Sequence, residues 1–173
     1  LRTAPEDSKI QAQILSGIGF LKGNQGLMEE AMSFLIQAEN IAAKTNNTNL
    51  QLELSMQRCA MLQQFGKQGE AQDILLNLRK AYLKQGRRLP VARCANDLGE
   101  TARHLGQIDA AERYYTEALT AFEAVGSETA WITRANLGIL LAEQGRSLEA
   151  REHLERVQRR LRRHGHSGLL GIM

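Results

Sequence analysis

Four histidines and two cysteines are the side chains of this sequence best suited to hold a metal or attack a substrate. His164-Gly165-His166 sets two imidazoles close together, but no cysteine or carboxylate cluster completes a ligand set around them. A solvated helix end accounts for that pair. Cys59 and Cys94 stand where a helix needs a small buried residue, and no histidine is spaced to activate either thiol. Both read as inert core thiols. Two cysteines are too few for a disulfide scaffold, which points to a reducing, cytosolic compartment.

The remaining chemical signals have structural explanations. Gly17-Ile18-Gly19 and Gly66-Lys67-Gln68-Gly69 resemble fragments of phosphate loops, but neither follows a strand and neither has the full spacing of a nucleotide fingerprint. Glu29-Glu30 and Glu70 fall where a helix begins, and there the helix dipole favours negative charge. The residue pattern therefore predicts no catalytic residue, no metal and no cofactor.

Net charge is +3 with a pI near 9.1, yet the basic excess is local. Arg151, Arg156, Arg159, Arg160, Arg162 and Arg163 crowd one stretch, while acids and bases nearly balance upstream. Arginines near a helix C-terminus complement its dipole and keep an exposed edge soluble. They lack the aromatic interleaving and recognition-helix pattern of a nucleic-acid surface, so the sequence argues against that partner.

Only two prolines and three valines occur in 173 residues, which favours an all-helical chain over a sheet protein. No apolar run reaches the length of a membrane span. The chain opens on Leu1 without a signal-peptide pattern, as expected of a processed product or a piece of something longer.

What must position any binding residues is a repeat. Gly26, Gly66, Gly106 and Gly145 recur at spacings of 40, 40 and 39. Five residues after each stands Ala31, Ala71, Ala111 or Ala150, and four further on Leu35, Leu75, Tyr115 or Leu154. Ala38, Leu78, Ala118 and Val157 follow, then Ala42, Tyr82, Phe122 and Leu161. Steps of three and four put these on one stripe of a helix. Seven residues before each anchor glycine come Gly19, Cys59, Gly99 and Gly138, small enough for a neighbouring helix to approach closely. A last column, Asn46, Gly86, Gly126 and Gly165, tolerates the left-handed backbone that ends helices.

Each unit is thus helix, turn, helix, loop. Eight helices are predicted, near 8–23, 27–44, 48–65, 69–84, 89–105, 109–124, 128–144 and 148–164. Pro90 suits the first turn of the fifth, Ser127 and Ser147 stand at expected N-caps, and Asn46-Asn47-Thr48-Asn49 forms a loop. The expectation is one domain, 1–173: an α-α superhelix of four stacked hairpins at about 8–46, 47–86, 87–126 and 127–165, with a tail at 166–173. That apolar tail either caps the last helix or begins a further element.

Leu98-Gly99, Gly106, Ala111, Tyr115, Ala118-Leu119 and Phe122 resemble a tetratricopeptide repeat, and Asn136-Leu137-Gly138 through Gly145, Ala150 and Leu154 match nearly as well. The likeness extends from 8 to about 164 but weakens early: Cys59 replaces a first-helix glycine and Lys22 an apolar or aromatic residue. The period of 40 exceeds the usual 34. It resembles the subgroup found in bacterial signal-dependent transcription activators, peptide-regulated phosphatases and spindle-orientation scaffolds.

That resemblance implies a non-catalytic scaffold or sensor whose first helices line a concave, partner-binding face. On these helices the register places Gln13, Phe20, Glu53, Met56, Gln57, Arg93, Asn96, Asp97, Glu100, Arg103, His104, Asn136, Ile139 and Glu143 outward. The strip is richest in hydrogen-bonding groups from Arg93 to His104, where a peptide backbone would meet Asn96 and Asn136 and its charges Arg93 or Arg103. The competing reading is a solvated face whose charges pair with each other. Lys22 is the only first-helix lysine near the face, so the Lys/Asn grip that some family members place on a C-terminal carboxylate is not reproduced. A protein or peptide is the expected partner. The alternative is self-association, as a homodimer, through the terminal helix and tail.

Overall fold

The computed structural model describes residues 5–169, with side-chain surroundings for 6–162. These residues form eight α-helices and no strand: α1 Pro5–Asn24, α2 Met28–Lys44, α3 Thr48–Gln64, α4 Gln68–Lys84, α5 Arg88–His104, α6 Ile108–Ala124, α7 Thr129–Glu143 and α8 Ser147–Leu169. The chain divides within α4, after Lys80, into two compact units.

Turn chemistry sets the helix ends. Gly26, Gly66, Gly106 and Gly145 all adopt positive φ, as do Gly86, Gly126 and Asn46. At Gly106 the backbone N–H bonds back to Arg103 and that of Gln107 to Ala102, so the reversing chain satisfies the last carbonyls of α5. Asn47 caps α3, its side-chain oxygen accepting from the Leu50 N–H at 3.1 Å. The loop expected over 46–49 is instead Thr45-Asn46-Asn47, because this cap draws Thr48 and Asn49 into α3.

In the first unit, the stripe Ala31, Leu35, Ala38 and Ala42 of α2 is buried against α1 and α3. Ala71, Leu75 and Leu78 are the buried side of α4. In the second unit, Ala111, Tyr115, Ala118 and Phe122 of α6 form the centre of a core shared with α5, α7 and Ala150 of α8. Burying a Leu- or Phe-sized side chain contributes about 1.5–3 kcal/mol, so each stripe offsets much of the entropy lost in ordering its hairpin.

The small-residue column performs the packing role its spacing implied. A Cβ on Gly138 would stand 2.9 Å from Leu154, and one on Gly19 3.1 Å from Leu35. At the second position, the buried Cys59 thiol sits 3.6 Å from the Ala71 carbonyl.

Four local expectations need correction. Gly165 does not end the last helix, which continues through it to Leu169; a glycine inside an exposed helix costs only about 1 kcal/mol. Residues 166–169 of the expected tail belong to α8, and 170–173 lie outside the described residues. Ser147 is not an N-cap. It is the first residue of α8, and its hydroxyl turns back to the Gly145 carbonyl that the left-handed turn brings near. The N-cap position of α7 is likewise Glu128, one residue after Ser127, though the Ser127 hydroxyl accepts from the Thr129 N–H at 3.3 Å. Among the described residues, no helix is long and apolar enough to cross a membrane.

Candidate partner-binding site

Helices α1 and α3 of the first unit flank a recess of about 590 Å³. Its floor is Leu35, Leu50, Leu54 and Met61, all buried. Its rim carries Gln13, Phe20, Glu53, Gln57 and Gln64. Four of the residues expected to face a partner, Gln13, Phe20, Glu53 and Gln57, thus come together here. Phe20 is 59% exposed, a large apolar ring left standing in water beside an apolar floor. Gly17 lies in the wall, and a Cβ there would meet nothing within 4 Å, so the missing side chain leaves space rather than relieving a clash. Ser16 donates its hydroxyl to the Gln57 amide oxygen across the recess. Met56 is half-buried and does not line it.

The second-unit members of the strip are differently disposed. Glu100 is a hub: Tyr115 donates to it at 2.6 Å, the Arg103 guanidinium at 2.9 Å, and His104 Nε2 lies 2.9 Å away. Arg103 also reaches Glu143 at 3.0 Å. Burial alone would raise the Glu100 carboxyl, but these donors and the Arg103 charge outweigh it and hold the group below its ordinary range. Burial, then the Glu100 carboxylate, push the Tyr115 phenol upward.

Asn96 gives its amide nitrogen to Asp97 at 3.2 Å and accepts the Thr133 hydroxyl at 2.9 Å. Asp97 itself is raised, chiefly by burial, against the Asn96 hydrogen bond and the Arg93 charge. Arg93 and Ile139 are exposed, and Asn136 is half-buried with no hydrogen-bond partner among the described residues. The second unit therefore holds a polar network largely satisfied within itself, whereas the first unit holds an open recess. Spacing along helices located both strips, but not this division, which depends on which side chains reach each other between helices.

Sequence reading missed a cluster on α6, α7 and α8. Arg160 lies 4.8 Å and Arg134 5.9 Å from the Trp131 ring, while Arg134 pairs with Glu123 and Arg160 with Glu128. Arg134 is only 6% exposed. In the arginine-rich stretch, Arg151 pairs with Glu155 and Arg156 with Glu152, each one helical turn away. Alternation of Glu and Arg at i, i+4 was the available signal. Among the described residues, no three His, Cys, Asp or Glu side chains gather as metal ligands.

These repeated hairpins have known counterparts. A tetratricopeptide-repeat sequence profile matches residues 91–163. Residues 91–163 thus carry the tetratricopeptide repeat. The fold of the chain superposes on the TPR-like repeats of a Podosopora anserina kinesin light chain homologue with a TM-score of 0.74, at 18% identity, over 87% of this chain and 74% of that one. A signal-transduction ATPase with a tetratricopeptide-repeat sensor from Pyrococcus horikoshii gives 0.80 at 18% identity, covering 89% of this chain but 24% of the ATPase. The Rap conjugation gene regulator of plasmid pLS20, solved in complex with the Phr* peptide, gives 0.75 at 20% identity, covering 88% of this chain and 43% of the regulator. The tetratricopeptide-repeat chain thus spans less than half the length of the Rap protein it matches. No curated protein matches it in sequence.

Proposed function

We propose that this tetratricopeptide-repeat chain is a non-catalytic module that binds a peptide or protein partner on the outward faces of its first helices. The observation that carries the reading is the α1/α3 recess, where an exposed phenylalanine and unpaired amides surround an apolar floor. Such a surface costs solvation free energy when empty and gains it when covered. Arg93, Asn96, Asp97, Glu100, Arg103, His104, Asn136 and Ile139 form the corresponding strip on the second unit. Because that network is largely self-paired, it contributes shape and specificity more than affinity.

Fold likeness to a gene regulator solved in complex with a peptide and to a signalling ATPase with a tetratricopeptide-repeat sensor supports a sensor or scaffold role within a larger, cytoplasmic regulatory protein. Selection of a random displayed peptide library on the chain, followed by amide chemical-shift mapping of an enriched peptide, tests the reading. Shifts should concentrate on α1, α3, α5 and α7. Shifts confined to α2, α4, α6 and α8, or no enrichment over a blank surface, would overturn it.

Self-association through α8 is the second reading, favoured by Leu148 and Leu161, which stand exposed on that helix. The exposed Arg151–Glu155 and Arg156–Glu152 pairs between them keep that face charged, so we place it second. Light scattering of the chain and of one ending at Arg162 decides: a monomer in both cases removes it.

A further inference from the structure

The α1/α3 recess carries information about its ligand. Its floor of Leu35, Leu50, Leu54 and Met61 and its volume of about 590 Å³ suit a large apolar side chain together with adjoining backbone. An acyl chain or hydrocarbon ligand would fill the floor but leave the rim amides unmatched. Gln13 and Gln64 have no hydrogen-bond partner among the described residues, and each amide offers both a donor and an acceptor. That pairing matches the N–H and C=O of an extended peptide.

Charge then narrows the class. Glu53 is the only ionisable residue lining the recess, and it is exposed with no ion-pair partner among the described residues. The nearby cations are committed elsewhere: Lys22 to Glu30 at 2.7 Å and Arg58 to Glu39 at 3.0 Å. A lone carboxylate beside an apolar floor attracts a basic residue on the incoming chain and repels an acidic one.

Resting on the peptide-binding reading above, we infer that the recess takes a peptide segment with a leucine-, methionine- or phenylalanine-sized side chain next to a lysine or arginine. Gly17 keeps the wall open for that side chain, since no neighbouring atom would fill the place of its Cβ.

The test is a random displayed peptide library selected on the wild-type chain and on Gly17→Met, Glu53→Gln and Glu53→Lys, each checked for unchanged helicity. Wild type should enrich peptides with a large apolar residue within two positions of Lys or Arg. Gly17→Met, whose Cβ meets no neighbour and whose longer side chain extends from the recess wall, should abolish that enrichment. Against one synthetic peptide from the wild-type selection, Glu53→Gln should weaken binding about two- to fivefold, the size of an exposed ion pair. Glu53→Lys should shift the enriched set toward Asp and Glu. Wild-type peptides without a basic preference would overturn this inference and leave the binding reading standing. Basic peptides that survive Gly17→Met would move the site elsewhere and overturn it. No enrichment at all would remove both. Self-association of wild type that Gly17→Met abolishes would assign the recess to a second copy of the chain and equally overturn the peptide assignment.

Discussion

The Tyr115 ring of α6 occupies the place that a side chain at Gly99 of α5 would need: a Cβ on Gly99 would stand 2.6 Å from its Cδ1. Both residues are fully buried, so neither side can retreat into solvent. Gly99→Ala gains about 1 kcal/mol of helix propensity but forces a core rearrangement costing about 1–3 kcal/mol. The expected outcome is a net loss of stability, read as a lower urea midpoint with an unchanged slope.

Gly17 provides the opposite case on a helix of the same kind. It lies inside α1, is exposed, and a Cβ there would touch nothing. Gly17→Ala should therefore stabilise the first unit by about 0.5–1 kcal/mol, through reduced freedom of the unfolded chain and better helix propensity. A lowered thermal midpoint would show that the recess wall is more tightly packed than this geometry states.

That contrast marks what the sequence made readable. The period of 40 located Gly19, Cys59, Gly99 and Gly138 together, and all four meet the next helix, at Leu35, the Ala71 carbonyl, Tyr115 and Leu154. Periodicity reports which side of a helix is buried, so the helices and their cores followed from it. It does not report which polar side chains meet. Glu100 with Tyr115, 15 residues apart, and Arg134 with Glu123, 11 apart, pair through the distance between helices. The strip from Arg93 to His104 therefore looked like the richest binding surface, while much of its hydrogen-bonding capacity is already used. The recess, whose rim includes residues the register had placed outward, also has open space beside Gly17, and spacing alone does not distinguish an absent side chain whose place is filled from one whose place is open.

Tyr115→Phe removes one donor from Glu100 while leaving the ring against Gly99. A hydrogen bond to a charged group contributes about 1.5–3 kcal/mol, and the ring's burial is retained, so the loss should fall near the lower end of that range. Tyr115 is one of the donors that hold the Glu100 carboxyl low against burial. Without it the Glu100 titration midpoint should move upward, followed by side-chain carbonyl shifts. In the wild type, a depressed carboxyl supplies stability above its unfolded pKa that is lost as pH falls through the folded value. The acid loss of stability should therefore be smaller in Tyr115→Phe, starting near the same unfolded carboxyl pKa but finishing at higher pH. An unmoved Glu100 midpoint would mean that Arg103 and His104 hold the carboxylate without the phenol.

His153 of α8 should give the fold a second pH dependence, nearer neutrality. Its Nδ1 is buried without a hydrogen-bond partner, and burial, then the Arg134 charge, lower its pKa from the ordinary 6.5. Arg156 acts in the same direction, while Glu152 and Glu123 oppose it and Glu149 lies close enough to feel its charge. The unfolded chain thus binds a proton at this position more readily than the folded one. Stability contributed by the neutral ring is present above the unfolded pKa and declines as pH falls toward the folded value. Urea titrations from pH 7.5 to 5.5 should show a declining midpoint in the wild type and a shallower decline in His153→Gln. Here the comparison is of slopes, so any packing loss in the variant cancels. The imidazole protons of His153 should titrate below the ordinary 6.5. Equal slopes in the two proteins, or a His153 midpoint at 6.5, would show that Glu152 and Glu123 offset burial and Arg134, and a midpoint above 6.5 would reverse the sign of the dependence.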